Sequence, residues 1–198
     1  PEQRQQLITF LSKETQHYLG DENAPVRMFE FSDFQWPFCG RFAADAWRQI
    51  NDKYVKTGKV YFGYIHLAFL GPESAWAAEA SECAAEQGKF WEYHEAVFKQ
   101  TQTNGLGIDG KGALESSLVG LAKDLGLNES VFADCYKKRN TGSLNTDDSY
   151  IRSVIKPEFD KKKFALGTPF FVVCQTPKDG SKECTGKAFS GAETFENI

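Results

Sequence analysis

Apolar and polar positions alternate along the chain in rhythms that predict distinct elements. Over residues 3–18 the apolar side chains Leu7, Phe10, Leu11 and Tyr18 recur at helical spacing and Gly20 supplies a stop, so a helix is expected within residues 1–20. A loop through Asp21 and Pro25 follows. Residues 26–34 are rich in β-branched and aromatic side chains and read as a strand. Pro37 suits the first turn of a helix, where its missing N–H costs nothing. Residues 38–56 then keep a helical pattern through Phe42, Ala46, Trp47, Ile50 and Tyr54, which Thr57-Gly58 ends. Residues 59–70, KVYFGYIHLAFL, are almost continuously apolar, as expected of a strand buried on both faces. Strand, short crossover helix and strand make a βαβ unit, whose two strands should run parallel.

From residue 71 to residue 165 the pattern is helical. Helices are expected over residues 74–87, 89–100, 113–125, 129–138 and 147–166, the last one kinked at Pro157. The glycine-rich stretch NGLGIDGKG, residues 104–112, lacks a preceding strand and the spacing of a phosphate loop, so it reads as a connection. Strand character returns over residues 170–175 and 183–189, around Lys178-Asp179-Gly180, which suits a three-residue hairpin loop. Residues 193–198 look like the first turn of a further helix. The fold class is therefore α/β. A core is built from residues 21–70 and 166–198, a βαβ half and a ββ(α) half, and a helical insertion, residues 71–165, divides them.

Composition narrows the function classes. The chain has 198 residues, of which 41% are hydrophobic and 25% charged with mixed sign, so it can bury a core. A net charge of −4 without a basic stripe or acidic tail gives no footprint for nucleic acid. No run of about 18 apolar residues is present to span a membrane. The chain starts Pro1-Glu2-Gln3, without an initiator Met or a signal-peptide pattern, as a mature or trimmed chain would; a leader or anchor removed upstream is part of the expectation. No cofactor is expected. No metal is expected either, because His17, His66 and His94 are far apart without zinc spacing. His66, inside an apolar strand, reads as a satisfied core histidine, and His94 as a packing or capping residue.

The chemistry concentrates in FSDFQWPFCGRF, residues 31–42. A Cys-x-x-Cys pair at such a strand-to-helix junction is reactive for physical reasons. The first sulfur meets the helix N–H groups and macrodipole, which favour a thiolate. The second lies one turn in, placed to attack a mixed disulfide. This chain has Trp36-Pro37-Phe38-Cys39 there, so Cys39 stands in the second place and an indole in the first. Cys39 alone reads equally as a small buried hydrophobe. Downstream, Gly167-Thr168-Pro169 precedes a strand, where a cis-proline would be a deliberate turn and would expose the backbone of Thr168 to an extended peptide.

Taken together, APVRMFEFSDFQ and PFCGRF (residues 24–35 and 37–42), AAEASECAAEQGKFWEYHEAVFKQ (77–100) and GTPFFVV (167–173) resemble the DsbA-like branch of the thioredoxin fold, over nearly the whole chain. The resemblance implies a thiol–disulfide oxidoreductase lineage working outside the cytoplasm. Its partners would be unfolded or cysteine-containing exported proteins and a membrane or soluble redox protein. It further implies Cys39 as the buried resolving cysteine, Glu30 as the buried acid that tunes the site, Pro169 as the cis-proline, and Thr168 as the residue that pairs with substrate backbone. Pro37 and Phe38 complete the substrate-facing surface. Glu30 lies on an otherwise apolar strand, which supports a task for it, although a solvent-facing edge position would also fit the pattern. Trp36 is the departure, at the position of the nucleophilic cysteine.

Five cysteines is an odd number. With a loop centred on Asp179, Cys174 and Cys184 would stand opposite each other, within the reach of a disulfide. The resemblance implies a second bridge, Cys83 to Cys135. Both together leave Cys39 as the odd thiol and favour an oxidising compartment. Three functional readings follow. One is an oxidoreductase lineage inactivated or altered at Trp36. Another is a monothiol protein using Cys39. The third is a non-catalytic peptide-binding or holdase-like module, with Phe34, Trp36, Phe38 and Pro169 as an exposed apolar patch.

Overall fold

A computed structural model describes residues 15, 17–68, 70–104, 115–139, 168–178 and 185–198. Five strands make one sheet: β1 (His17–Leu19), β2 (Val26–Ser32), β3 (Val60–His66), β4 (Phe170–Gln175) and β5 (Thr185–Ser190). The spatial order is β1-β3-β2-β4-β5. Only β2 and β3 run parallel, as the βαβ pattern requires, and the other three pairings are antiparallel. The registers align one row across the whole sheet: His17, Tyr64, Glu30, Phe171 and Phe189. Glu30 thus sits on the central strand, and a solvent-facing edge position is ruled out.

The crossover helix packs on the face that carries this row. It is α1 (Pro37–Ala44), followed at once by α2 (Ala46–Ile50) and a π-helical turn, Asn51–Val55. The uninterrupted helix expected over residues 38–56 is corrected here. Asp45 leaves helical geometry (φ −120°, ψ −83°), and its carbonyl restarts the ladder by accepting from the N–H groups of Arg48 and Gln49. Beyond this break Ala46, Trp47 and Ile50 are buried, and the Trp47 ring lies 4.2 Å from that of Phe62.

Four helices of the insertion are described: α3 (Pro72–Ala85), α4 (Phe90–Asn104), α5 (Glu115–Asp124) and α6 (Glu129–Arg139). A disulfide joins Cys83 on α3 to Cys135 on α6 across 52 residues of sequence. The helix expected over residues 147–166, the loop over 105–112 and the Asp179-Gly180 turn lie outside the described residues.

Three further expectations change. The helix expected within residues 1–20 is replaced at residues 17–19, where His17–Leu19 form edge strand β1, antiparallel to β3. Spacing that suits a helix also suits an edge strand whose alternate residues face opposite ways: Tyr18 stacks on Tyr61, while His17 stacks on Phe90. Residues 1–14 and 16 lie outside the described residues. Strand β3 ends at His66, four residues before the expected end, although Leu67 still donates its N–H to the Ser32 carbonyl at 2.8 Å.

The β4–β5 register also differs, pairing Cys174 with Gly186 instead of Cys184. The cause is local. Thr176 gives its N–H to Pro25 O (2.9 Å) and its hydroxyl to Ala24 O (2.6 Å), and Pro177 has no N–H to continue the ladder. Gly186 is obligatory in this register, since a Cβ there would stand 1.8 Å from the Val173 carbonyl oxygen. Cys174 is disulfide-bonded, whereas Cys184 lies outside the described residues.

Closing a loop of 52 residues removes chain entropy from the unfolded state. Replacing Cys83 and Cys135 together by alanine should lower unfolding free energy by about 2–4 kcal/mol, measured by guanidinium denaturation. Under denaturing, non-reducing conditions the native chain should titrate one free thiol, that of Cys39.

Candidate thiol site at the head of the crossover helix

Strand β2 ends at Ser32, and the chain turns through residues 33–36 into α1. Trp36 is the residue before the helix, in extended geometry (φ −75°, ψ 121°), and its carbonyl accepts the Gly40 N–H at 3.1 Å. Pro37 takes the first helical position, where no donor is lost. The turn is held by Asp33, whose carboxylate is buried and accepts from the Gln35 N–H (2.9 Å), the Ser74 hydroxyl (2.6 Å) and the Leu70 N–H (3.2 Å). The Asp33 N–H in turn donates to Cys39 Sγ at 3.5 Å. Sequence reasoning missed Asp33; its Asp-x-x spacing before a helix-starting Trp-Pro was the available signal.

Cys39 is a free thiol with 0% exposure. Burial, and next the charge of Glu30, push its pKa up to about 12, against the opposing pull of the Asp33 N–H and the nearby Ser32 and Thr168 hydroxyls. Glu30, 2% exposed, is pushed up to about 8 by burial, so it is mostly protonated at neutral pH. Tyr64 is driven well above its ordinary range by burial, then by Glu30 and Cys39. Around the sulfur, Glu30 Oε1 and the hydroxyls of Ser32, Tyr64 and Thr168 are buried without a direct hydrogen bond. The peptide between Thr168 and Pro169 is cis. The structure therefore brings Glu30, Cys39 and Thr168 into one pocket.

The expected apolar patch is smaller than the sequence implied. Phe34 is 1% exposed, inside a ring cluster with Tyr64, His66, His94 and Phe98, and Pro169 is buried too. Pro37 and Phe38 are exposed, and Trp36 is half-buried. The Trp36 and Phe38 rings stack with centroids 5.3 Å apart, and the Arg41 guanidinium lies 4.4 Å over Phe38.

The histidines, separate in sequence, converge in space. His17 and His66 both meet Glu82 on α3, and Ser81 approaches His66. Burial would raise the Glu82 carboxyl, but its hydrogen bonds with His17 and His66 hold it below the usual carboxylate range. His94 packs edge-on against Tyr64 at 4.7 Å, and burial followed by the charges of His66 and His17 pushes its pKa down to about 3.

With this geometry in place, likeness to known proteins becomes informative. Residues 12–161, more than half of the chain, match the family model described as thioredoxin. The chain belongs to the thioredoxin family. Disulfide bond formation protein D of Bacillus subtilis is 34% identical over 87 residues, 43% of this chain and 39% of that protein. The Na(+)/H(+) antiporter NhaA 3 of Salinispora tropica is 37% identical over 91 residues, 46% of this chain and 14% of that protein. The chain thus spans less than half the length of either curated relative. Among solved structures, oxidised BdbD of Bacillus subtilis superposes with a TM-score of 0.61 at 26% identity, covering 79% of this chain and 80% of that one. Wolbachia pipientis alpha-DsbA1 reaches 0.73 at 20% identity, covering 91% and 85%. Both kinds of likeness point to the DsbA-like lineage, whose named members include a disulfide bond formation protein. This thioredoxin-family chain carries that lineage's fold with Trp36 at the mouth of α1 and the thiol of Cys39 behind it.

The raised Glu30 carboxyl makes a signed prediction. A carboxyl with a folded pKa near 8 binds its proton more tightly folded than unfolded, so it destabilises the fold progressively from pH 4.5 to 8 and by a constant amount above. Glu30→Gln should therefore gain stability relative to the parent as pH rises, with little difference at pH 5 and a gain of about 2 kcal/mol or more at pH 8.5. Urea denaturation at the two pH values measures it.

Proposed function

We propose that this chain is a DsbA-like protein whose dithiol exchange is switched off at Trp36, and that it retains the surface on which an extended client would lie. The observation that carries this reading is Cys39: it is the free thiol, wholly buried, and its pKa stands near 12. Disulfide exchange needs an accessible thiolate. Trp36 has no sulfur to attack a disulfide, and Cys39 is too shielded and too protonated to substitute for it. The same facts weigh against the monothiol reading.

What remains is a platform: the backbone at Thr168, and Pro37 and Phe38 exposed at the head of α1. Its clients, in this reading, are unfolded or cysteine-containing exported proteins, and its setting is extracytoplasmic. The Cys83–Cys135 bridge and the oxidised Cys174 support an oxidising compartment. No helix among the described residues is long and apolar enough to cross a membrane, so attachment to a membrane would fall to a segment outside this chain or its described part. A redox partner would matter only to relatives that keep both cysteines.

Turnover of a reduced or scrambled disulfide substrate separates the readings. The chain as given should stay at background, and Trp36→Cys should raise the rate at least about 100-fold by restoring the attacking sulfur. In the same preparation native Cys39 should react with iodoacetamide about 10³-fold more slowly than in the unfolded chain at neutral pH, followed by mass spectrometry. Turnover by the parent chain that Cys39→Ser abolishes would instead establish the monothiol protein.

A further inference from the structure

His17, His66 and Glu82 come from three separate elements, β1, β3 and α3, and converge on one oxygen atom. His17 Nε2 stands 2.5 Å and His66 Nε2 3.1 Å from Glu82 Oε1. The ligating atoms of all three lie within 4.8 Å of one another. The ring of His17 is held flat against Phe90, centroids 3.5 Å apart and 4° between planes, and meets His66 edge-on at 6.1 Å. Ser81 Oγ lies 3.2 Å from His66 Nε2 and donates to Ala78 O at 2.7 Å. These side chains are aimed before anything binds, because the ring stack and the two strands set their directions.

Two imidazole N–H groups donating to one carboxylate oxygen occupy space that a single cation could fill. Such a cation would accept the same two nitrogen lone pairs and the same oxygen. We propose that His17, His66 and Glu82 bind a divalent transition ion of the zinc class. Two imidazoles and one carboxylate suit a borderline cation such as Zn²⁺, whereas Ca²⁺ and Mg²⁺ demand oxygen ligands in larger number. In tetrahedral zinc, ligand atoms about 2.0–2.1 Å from the metal stand about 3.3 Å from each other. The His66–Glu82 pair is already close to that spacing, and the His17–Glu82 pair must open by less than about 1 Å.

On binding, each Nε2 turns its lone pair to the ion: the Nε2 proton of a neutral imidazole moves to Nδ1, and that of an imidazolium leaves to solvent. The fourth position falls to water or to Ser81 Oγ. His17 and Glu82 keep 10% and 13% side-chain exposure, which gives an ion access from the rim, while His66 at 6% forms the floor. A bound ion would tie the edge strand, the central sheet and the first helix of the insertion at one point. The chain holds three histidines, and the third, His94, is enclosed among rings.

The test uses the full chain freed of metal with a chelator and titrated with zinc chloride by calorimetry near neutral pH. One zinc per chain is expected at about micromolar affinity or tighter. Glu82→Gln keeps the side chain's size but weakens the ligand, and His17→Ala removes one; each should weaken binding at least about tenfold with unchanged circular dichroism. Cys39→Ala should leave binding intact, and cobalt in place of zinc should show nitrogen–oxygen coordination without a thiolate charge-transfer band. Absence of stoichiometric zinc binding, or zinc affinity that survives both Glu82→Gln and His17→Ala, overturns the proposal.

Discussion

The buried carboxylate of Asp33 is the interaction on which the site depends. It gathers donors from its own turn and from the segment that opens the insertion, so the mouth of α1 and the start of α3 cannot move independently. Leaving such a donor without its acceptor would cost about 1–3 kcal/mol each, which makes the arrangement close to all-or-none. The backbone N–H of the same residue reaches the sulfur of Cys39. Asp33 therefore sets where the thiol, the indole and the insertion stand relative to one another.

Electrostatics then decides what that thiol can be. Glu30 and Cys39 are two acids in one low-dielectric pocket; burial disfavours the charge of both, and the Glu30 carboxylate further disfavours the thiolate. The hydroxyls around them are too few and too poorly aligned to compensate. At neutral pH the pocket is a store of protons, not of negative charge.

Much of this was legible in the sequence where the signal was local. Strand β2, its turn into α1 and the return along β3 follow from a β-rich run, a proline at the first helical position and a continuous apolar stretch. Glu30 drew notice as one acid on an apolar strand, and it lies in the centre of the sheet. What stayed hidden depends on tertiary partners. His17–Leu19 became a strand because β3 offered an unpaired edge. The break at Asp45 serves the burial of Trp47. The hairpin register follows from where Thr176 sends its donors, which no turn rule contains. Phe34 and Pro169 read as surface because loops are usually exposed, yet ring contacts enclose Phe34. The meeting of His17, His66 and Glu82 could not be read from spacing, since 65 residues separate the first from the last.

Trp36 has a thermodynamic consequence apart from any reaction. In a site with two cysteines, closing or opening their disulfide changes the free energy of the folded state, so stability and reduction potential are linked quantities. Here the helix mouth holds an indole stacked on Phe38, and Cys39 has no partner with which to close a ring. The region around the thiol is thereby uncoupled from the redox buffer around it. Whatever the glutathione ratio of its compartment, this part of the molecule presents the same shape, and among the described residues the surrounding potential is felt through the bridges at Cys83–Cys135 and Cys174.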